Sequence, residues 1–216
     1  MKEYMKIQNV FKFDEKYRKI IGLNEPYEML KNIEWYGTEK VDGTNTRICW
    51  DGHRISILGH TDKSQLPNHL VDYLSKLFLT PEMEYVFEQI FEDKEVVIYG
   101  EGYGNKIQAD GEKYTNDVGF IVFDININGF WLLRENVENI CERLNLSIVP
   151  IVFRGTLDEA KKFVLNHPAS TLSNEHEMEG LVLRPKVQLY DVKGHLITCK
   201  LKYRDIIKLE ETEWKD

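Results

Sequence analysis

Apolar positions recur along this chain with two different periods, and the changes between them mark out the elements. Lys6–Phe13 has the mixed alternation of a short strand. Thr46–Trp50 and Arg54–Leu58 are strand-like runs on either side of Asp51-Gly52, a pair whose turn chemistry predicts a hairpin. Helical spacing follows. Leu70, Val71, Leu74, Leu77 and Phe78 fall on one helical face, and Met83, Val86, Phe87, Ile90 and Phe91 on another. Between them Thr80-Pro81 supplies a capping hydroxyl and a proline at the first helical position.

Glu95–Tyr99 predicts a buried strand that ends in Gly100-Glu101-Gly102-Tyr103-Gly104, and Gly119–Ile125 predicts another. Asn126–Gly129 then reads as a turn and Phe130–Leu133 as the hairpin partner. A helix is expected over residues 135–144. A second opens at the capping box Thr156-Leu-Asp-Glu159 and ends near His167-Pro168. Met178–Arg184 and Leu196–Leu201 predict two last strands around a polar excursion at residues 191–194, and the chain from Arg204 onward has helical, mostly polar composition. Short strands mixed with helices, without regular βαβ alternation, indicate an α+β fold with antiparallel sheets. No repeat, low-complexity tract or linker interrupts the chain, which reads as a single domain over residues 1–216.

Composition adds limits. A hydrophobic share of 42% and a charged share of 30% suit a globular protein. No apolar run approaches the roughly 20 residues that cross a bilayer, and the N-terminus lacks the apolar core of a signal peptide. The expected location is therefore cytoplasmic, with no membrane partner. Cys49, Cys141 and Cys199 have no paired spacing and read as reduced, buried thiols. A net charge of −8 removes any chain-wide attraction to nucleic acid, so a polyanion would have to be held at a locally basic site.

Five stretches carry candidate chemistry. In Glu39-Lys40-Val41-Asp42-Gly43-Thr44-Asn45 an amine is presented beside a tight turn, at the entrance to the first hairpin. Lysine, with an ordinary pKa of about 10.4, attacks phosphorus only where neighbouring cations or desolvation favour its neutral form. The alternating glycines around Glu101 suit either a plain turn or a backbone approaching a ligand. Phe120-Ile-Val-Phe123-Asp124-Ile125 is a buried strand whose aromatics could also stack on a base. Glu179 opens an otherwise apolar strand and shares a face with Leu181, while Val182 and Arg184 take the other. Lys200 and Lys202 share one strand face, suited either to an anion or to an exposed sheet edge.

Taken together and in this order, these stretches resemble the motifs of the covalent nucleotidyltransferases, the superfamily of DNA and RNA ligases and mRNA capping enzymes. The closest similarity is to the RNA ligase branch typified by the second RNA ligase of T4-like phages. The cues are Glu-Lys-x-x-Gly-Thr-Asn, the Tyr-Gly-Glu segment, Phe-x-Val-Phe-Asp-Ile, Glu-Gly-x-Val-Leu-x-Pro and Lys-x-Lys, spanning Glu39 to Lys202.

The resemblance implies an antiparallel-sheet nucleotidyltransferase domain and an ATP-dependent RNA ligase. Lys40 would attack the α-phosphate of ATP and become a lysyl-AMP. Glu39, Val41 and Asn45 would lie at the nucleotide, Asn45 near the adenylate phosphate. Glu101 would bind the ribose, and Phe120, preferred over Phe123, would stack on adenine opposite Val182. Lys200 and Lys202 would contact the α-phosphate, and Glu179 would assist the lysine and hold Mg²⁺ or Mn²⁺. His60 stands, with Lys63 nearby, where the family usually places an arginine, and neither offers its planar fork. The implied partners are nucleic acid with 5′-phosphate and 3′-hydroxyl ends, RNA or an RNA-containing duplex, and a separate nucleic-acid-binding chain. No OB or helical C-terminal domain is expected after Lys202. The competing readings are a DNA ligase, a GTP-dependent capping guanylyltransferase, and a non-catalytic nucleotide or RNA-end binding module.

Overall fold

The structure, a computed structural model, describes residues 2–14, 16, 19–109, 111–173 and 176–207. They group into two compact units, residues 1–4 with 42–149 and residues 5–41 with 150–216. Residues 208–216 of the expected C-terminal helix lie outside the described residues, and residues 203–207 are helical.

The first unit is built on a five-stranded antiparallel sheet. The second contributes β1 (Gln8–Asn9), β2 (Phe11–Phe13), β3 (Ile20–Leu23), α1 (Tyr27–Leu30) and β4 (Trp35–Glu39) before the chain enters the first. There β5 (Thr44–Trp50) and β6 (Ile55–Gly59) form the expected hairpin, Trp50 opposite Ile55. The Asp51 carboxylate accepts bonds from the backbone N–H of His53 and Arg54, which holds the turn. Helices α2 (Asn68–Phe78) and α3 (Pro81–Phe91) follow, the Thr80 hydroxyl capping α3 at Met83.

Next come β7 (Val96–Gly104), β8 (Val118–Ile127), β9 (Phe130–Trp131) and α4 (Arg134–Leu144), giving the strand order β6-β5-β7-β8-β9. The glycine-rich stretch around Glu101 is thus neither a turn nor a loop but the second half of a long strand, paired on both sides. One sheet face carries Ile48, Trp50, Ile98, Phe120, Val122 and Ile125 into a core with Leu70, Leu74, Phe78 and Phe87 of the helices.

The second unit holds another five-stranded sheet, order β1-β12-β11-β4-β10, together with the β2–β3 hairpin. It is completed by β10 (Ile151–Gly155), α5 (Leu157–Leu165), β11 (Gly180–Pro185) and β12 (Cys199–Lys202). The Thr156–Glu159 capping box at α5 is formed as expected. Strand β12 starts three residues later than its apolar pattern suggests. Leu196 makes only an isolated bridge to Tyr190, because the polar excursion keeps residues 191–198 out of the ladder. Trp35, Phe153, Leu157, Val164, Leu181, Leu183, Cys199 and Leu201 form this unit's core. All three cysteines are buried and free, and no described helix is long and apolar enough to cross a membrane.

Candidate active site

Register in the second unit decides which polar side chains meet. Leu181 pairs with both Glu39 and Leu201, and Leu183 with both Gly37 and Cys199, so these residues share the core face. Val182 pairs with Thr38 and Lys200, and Gly180 with Lys202, placing them on the opposite face. The ladder runs one residue past β4, since the Lys40 N–H donates to the Gly180 carbonyl at 2.9 Å. Lys40 therefore follows Thr38 onto the face that carries Val182, Lys200 and Lys202. It lies where the chain leaves one sheet for the other, not merely at the mouth of the β5–β6 hairpin.

Glu179 departs from the face expected of it. Gly180 has φ of +153°, and a Cβ there would lie 2.1 Å from the Leu201 carbonyl oxygen, so only glycine fits. This backbone breaks the alternation, and the Glu179 carboxylate meets lysines instead of sharing the face of Leu181. One oxygen is bonded to the Lys40 ammonium; the other accepts from Lys202 at 2.5 Å. Burial alone would raise the Glu179 pKa, but the charge of Lys40 and the hydrogen bonds from Lys202 and Lys40 outweigh it and hold the carboxyl below its ordinary range. Lys200 is half-buried and makes no ion pair among the described residues. Its pKa is lowered, first by burial and then by Lys202 and Lys40, with Glu179 opposing. Two lysines thus share one carboxylate, with Lys200 on the same strand face as Lys202.

Both oxygens of the Glu39 carboxylate are engaged within the second unit. Only 2% exposed, it spends one oxygen on the Ser170 hydroxyl at 2.6 Å. The other accepts from the Thr171 N–H and hydroxyl at 2.6 and 2.5 Å. Pairing with Leu181 turns this side chain toward the core, and Ser170 and Thr171 satisfy it there. Glu39 thereby ties residues 170–171 to the strand that presents Lys40, a role its place beside a catalytic-looking lysine did not reveal. Val41 is 7% exposed and Val182 half-buried.

In the first unit Asn45 and Glu101 are register partners on β5 and β7, so they share the sheet face turned away from the helical core. Both are half-buried, and the buried Oδ1 of Asn45 has no hydrogen-bond partner, which suits a site awaiting a donor. Phe120 does not belong with them. It pairs with Gly102 on the opposite face, is 6% exposed, and meets Phe78 edge-on with centroids 5.7 Å apart. A Cβ at Gly100 would lie 2.4 Å from its ring, so Gly100 exists to admit it. Phe120 is a core residue. The register shift between Tyr99 and Gly100 makes Phe123 the extra residue of β8, and Phe123 is half-buried, packed on Tyr4 at 5.0 Å. It is the better stacking candidate.

His60 is exposed at the start of the loop after β6, as is Lys63. The arginine that engages this loop is Arg47, fully buried, donating to the Gly59 carbonyl at 2.8 Å and to Asp62 at 2.7 Å. Among the described residues no group of three or more His, Cys, Asp or Glu side chains is placed to hold a metal. Glu179 alone suits an ion held mostly by substrate phosphates and water.

A family model described as RNA ligase matches residues 33–209, most of the chain. This protein belongs to the RNA ligase family. Its fold agrees. An RNA ligase of Naegleria gruberi solved as a mutant with ATP and Mn is similar over 87% of this chain and 53% of its own, with 18% identity and a TM-score of 0.62. The same organism's ligase as an apo mutant matches 98% of this chain and 57% of its own, with 16% identity and a TM-score of 0.66. A mutant with AMP and Mn gives 97%, 57%, 16% and 0.66. The chain thus spans little more than half the length of these solved ligases. No curated protein matches it in sequence.

Proposed function

We propose that this member of the RNA ligase family is an ATP-dependent RNA ligase acting through Lys40. The observation that carries the reading is the pairing of Lys40 with Glu179, beside Lys202 and Lys200, on one strand face. Lys40 loses its ammonium proton to water, and its Nζ attacks the α-phosphate of ATP. A nitrogen–phosphorus bond forms, the bond to the β-phosphate breaks, and pyrophosphate leaves. The AMP passes to a 5′-phosphate, and a 3′-hydroxyl then displaces it to close the phosphodiester. Lys200 and Lys202 supply positive charge for the oxygens of the transferring phosphoryl group. A divalent ion, Mg²⁺ or Mn²⁺, would supply further charge on the triphosphate, with Glu179 as its protein carboxylate.

The proposal assigns Glu101 to the ribose, Asn45 to the phosphate, and Phe123 and Val182 to the base. Structures of the Naegleria ligase with ATP and with AMP support the choice of nucleotide. The substrates are RNA ends, with a separate chain assisting their capture, in the cytoplasm. The test is incubation with α-labelled ATP or GTP and magnesium, denaturation, and a chase with 5′-phosphorylated RNA. Label from ATP that moves onto the RNA is expected. Absence of covalent label with either nucleotide removes the enzyme reading, and label from GTP alone makes the protein a guanylyltransferase.

A further inference from the structure

Beside Lys200 and Lys202, a groove of about 1090 Å³ opens within the second unit. Its lining draws cations from three segments: Lys6 and Lys12 around β1 and β2, Lys200 and Lys202 of β12, and Arg204 just after it. Two carboxylates also line it. Asp205 is buried and accepts from Asn9 Nδ2 at 2.7 Å, and Asp14 accepts from the Lys19 N–H at 3.1 Å. Among the described residues Lys6, Lys12 and Arg204 make no ion pair and are exposed. In a protein of net charge −8 such a local concentration of positive charge is a place where a polyanion can be held. The groove is also partly apolar, lined by Ile7, Phe13 and by Ile21, which is 58% exposed. It is far larger than a pyrophosphate requires. Phosphates beside sugar and base surfaces match such a lining better than a compact inorganic anion does.

We infer that this groove binds the sugar-phosphate backbone of the polynucleotide strand whose 5′-phosphate receives the AMP, with Lys12 and Arg204 as backbone contacts away from the chemistry. The inference rests on the ligase reading for the identity of the strand. It answers the question raised by an acidic chain: the strand is gripped by a local track of charge beginning at the phosphoryl-transfer lysines.

The test pairs the wild-type protein with a Lys12→Ala/Arg204→Ala variant. Both residues are exposed, so folding should survive, and circular dichroism confirms it. Binding of a fluorescent 5′-phosphorylated oligoribonucleotide is measured by anisotropy over a range of salt, and self-labelling with ATP is measured in parallel. The expected result is about tenfold weaker binding, a log K against log[salt] slope shallower by about 0.7 for each cation removed, and unchanged self-labelling. An unchanged affinity and slope overturns the groove assignment. So does a parallel loss of self-labelling, which would give the groove to the triphosphate. Failure of the wild type to label with ATP strikes the ligase reading instead, and the binding arm still reports on the groove.

Discussion

The two five-stranded sheets put polar side chains to opposite uses. In the β1-β12-β11-β4-β10 sheet, one face packs Leu181, Leu183, Cys199 and Leu201, while the other displays three lysines, two of them paired with one carboxylate. In the β6-β5-β7-β8-β9 sheet, the face against the helices is saturated with aromatic and aliphatic side chains, and Asn45 and Glu101 occupy the other. The first builds its site from charges that hold one another. The second sets an uncharged amide beside a carboxylate, and the buried Asn45 Oδ1 has no hydrogen-bond partner. Electrostatic damage should therefore be severe in the lysine sheet and graded in the other.

The largest expected effect is Glu179→Gln, which leaves Lys40 and Lys202 without their shared carboxylate. Self-labelling with ATP should fall by about 10²-fold or more, read as the initial rate of covalent label; a fall under threefold would make the pair ornamental. Next is the contrast between the two phenylalanines of β8. Phe123→Ala should raise the KM for ATP about tenfold, the loss of a base stack worth roughly 1–3 kcal/mol, with little change in stability. Phe120→Ala should instead cost about 3–5 kcal/mol of unfolding free energy by emptying a packed site, leaving KM near the wild-type value wherever the protein is folded. The reverse pattern would return the stacking role to Phe120.

The smallest effect concerns pH. Glu179 titrates below its ordinary range in the folded state, because the charges of Lys40 and Lys202 outweigh burial. Its contribution to stability is complete above the ordinary carboxylate pKa and disappears as pH falls through the depressed value. Wild type and Glu179→Gln should thus differ by about 1–2 kcal/mol near neutrality, measured by denaturant titration, and converge in acid. A difference that stays constant with pH would assign it to something other than this carboxylate's charge.

How much could be read from the sequence follows the same division. The hairpin at Asp51-Gly52, the helix starts at Thr80 and Thr156 and the lysine motif were legible because each depends on a few adjacent residues. Lysines at strand positions cannot be core, so Lys40, Lys200 and Lys202 stood out. Aromatics can be either core or site. Only the register shift between Tyr99 and Gly100, which no local pattern announces, separates Phe120 from Phe123. The bonds of Glu39 were hidden for a related reason: its partners, Ser170 and Thr171, lie some 130 residues away in sequence. Arg47 escaped notice because its partners, Gly59 and Asp62, lie across a hairpin. The strand-like reach of Gly100–Gly104 was hidden by glycines, of which Gly100 leaves the space that the Phe120 ring fills and Gly102 the space that Leu70 fills.

The central claim is that Lys40, held by Glu179, is the atom-donating nucleophile. The direct measurement is to incubate the purified protein with ATP and magnesium, digest it, and locate any AMP adduct by peptide mass spectrometry. The account predicts one AMP on the peptide containing Lys40, absent from Lys40→Ala. An adduct on any other residue, or one that persists in Lys40→Ala, would contradict it.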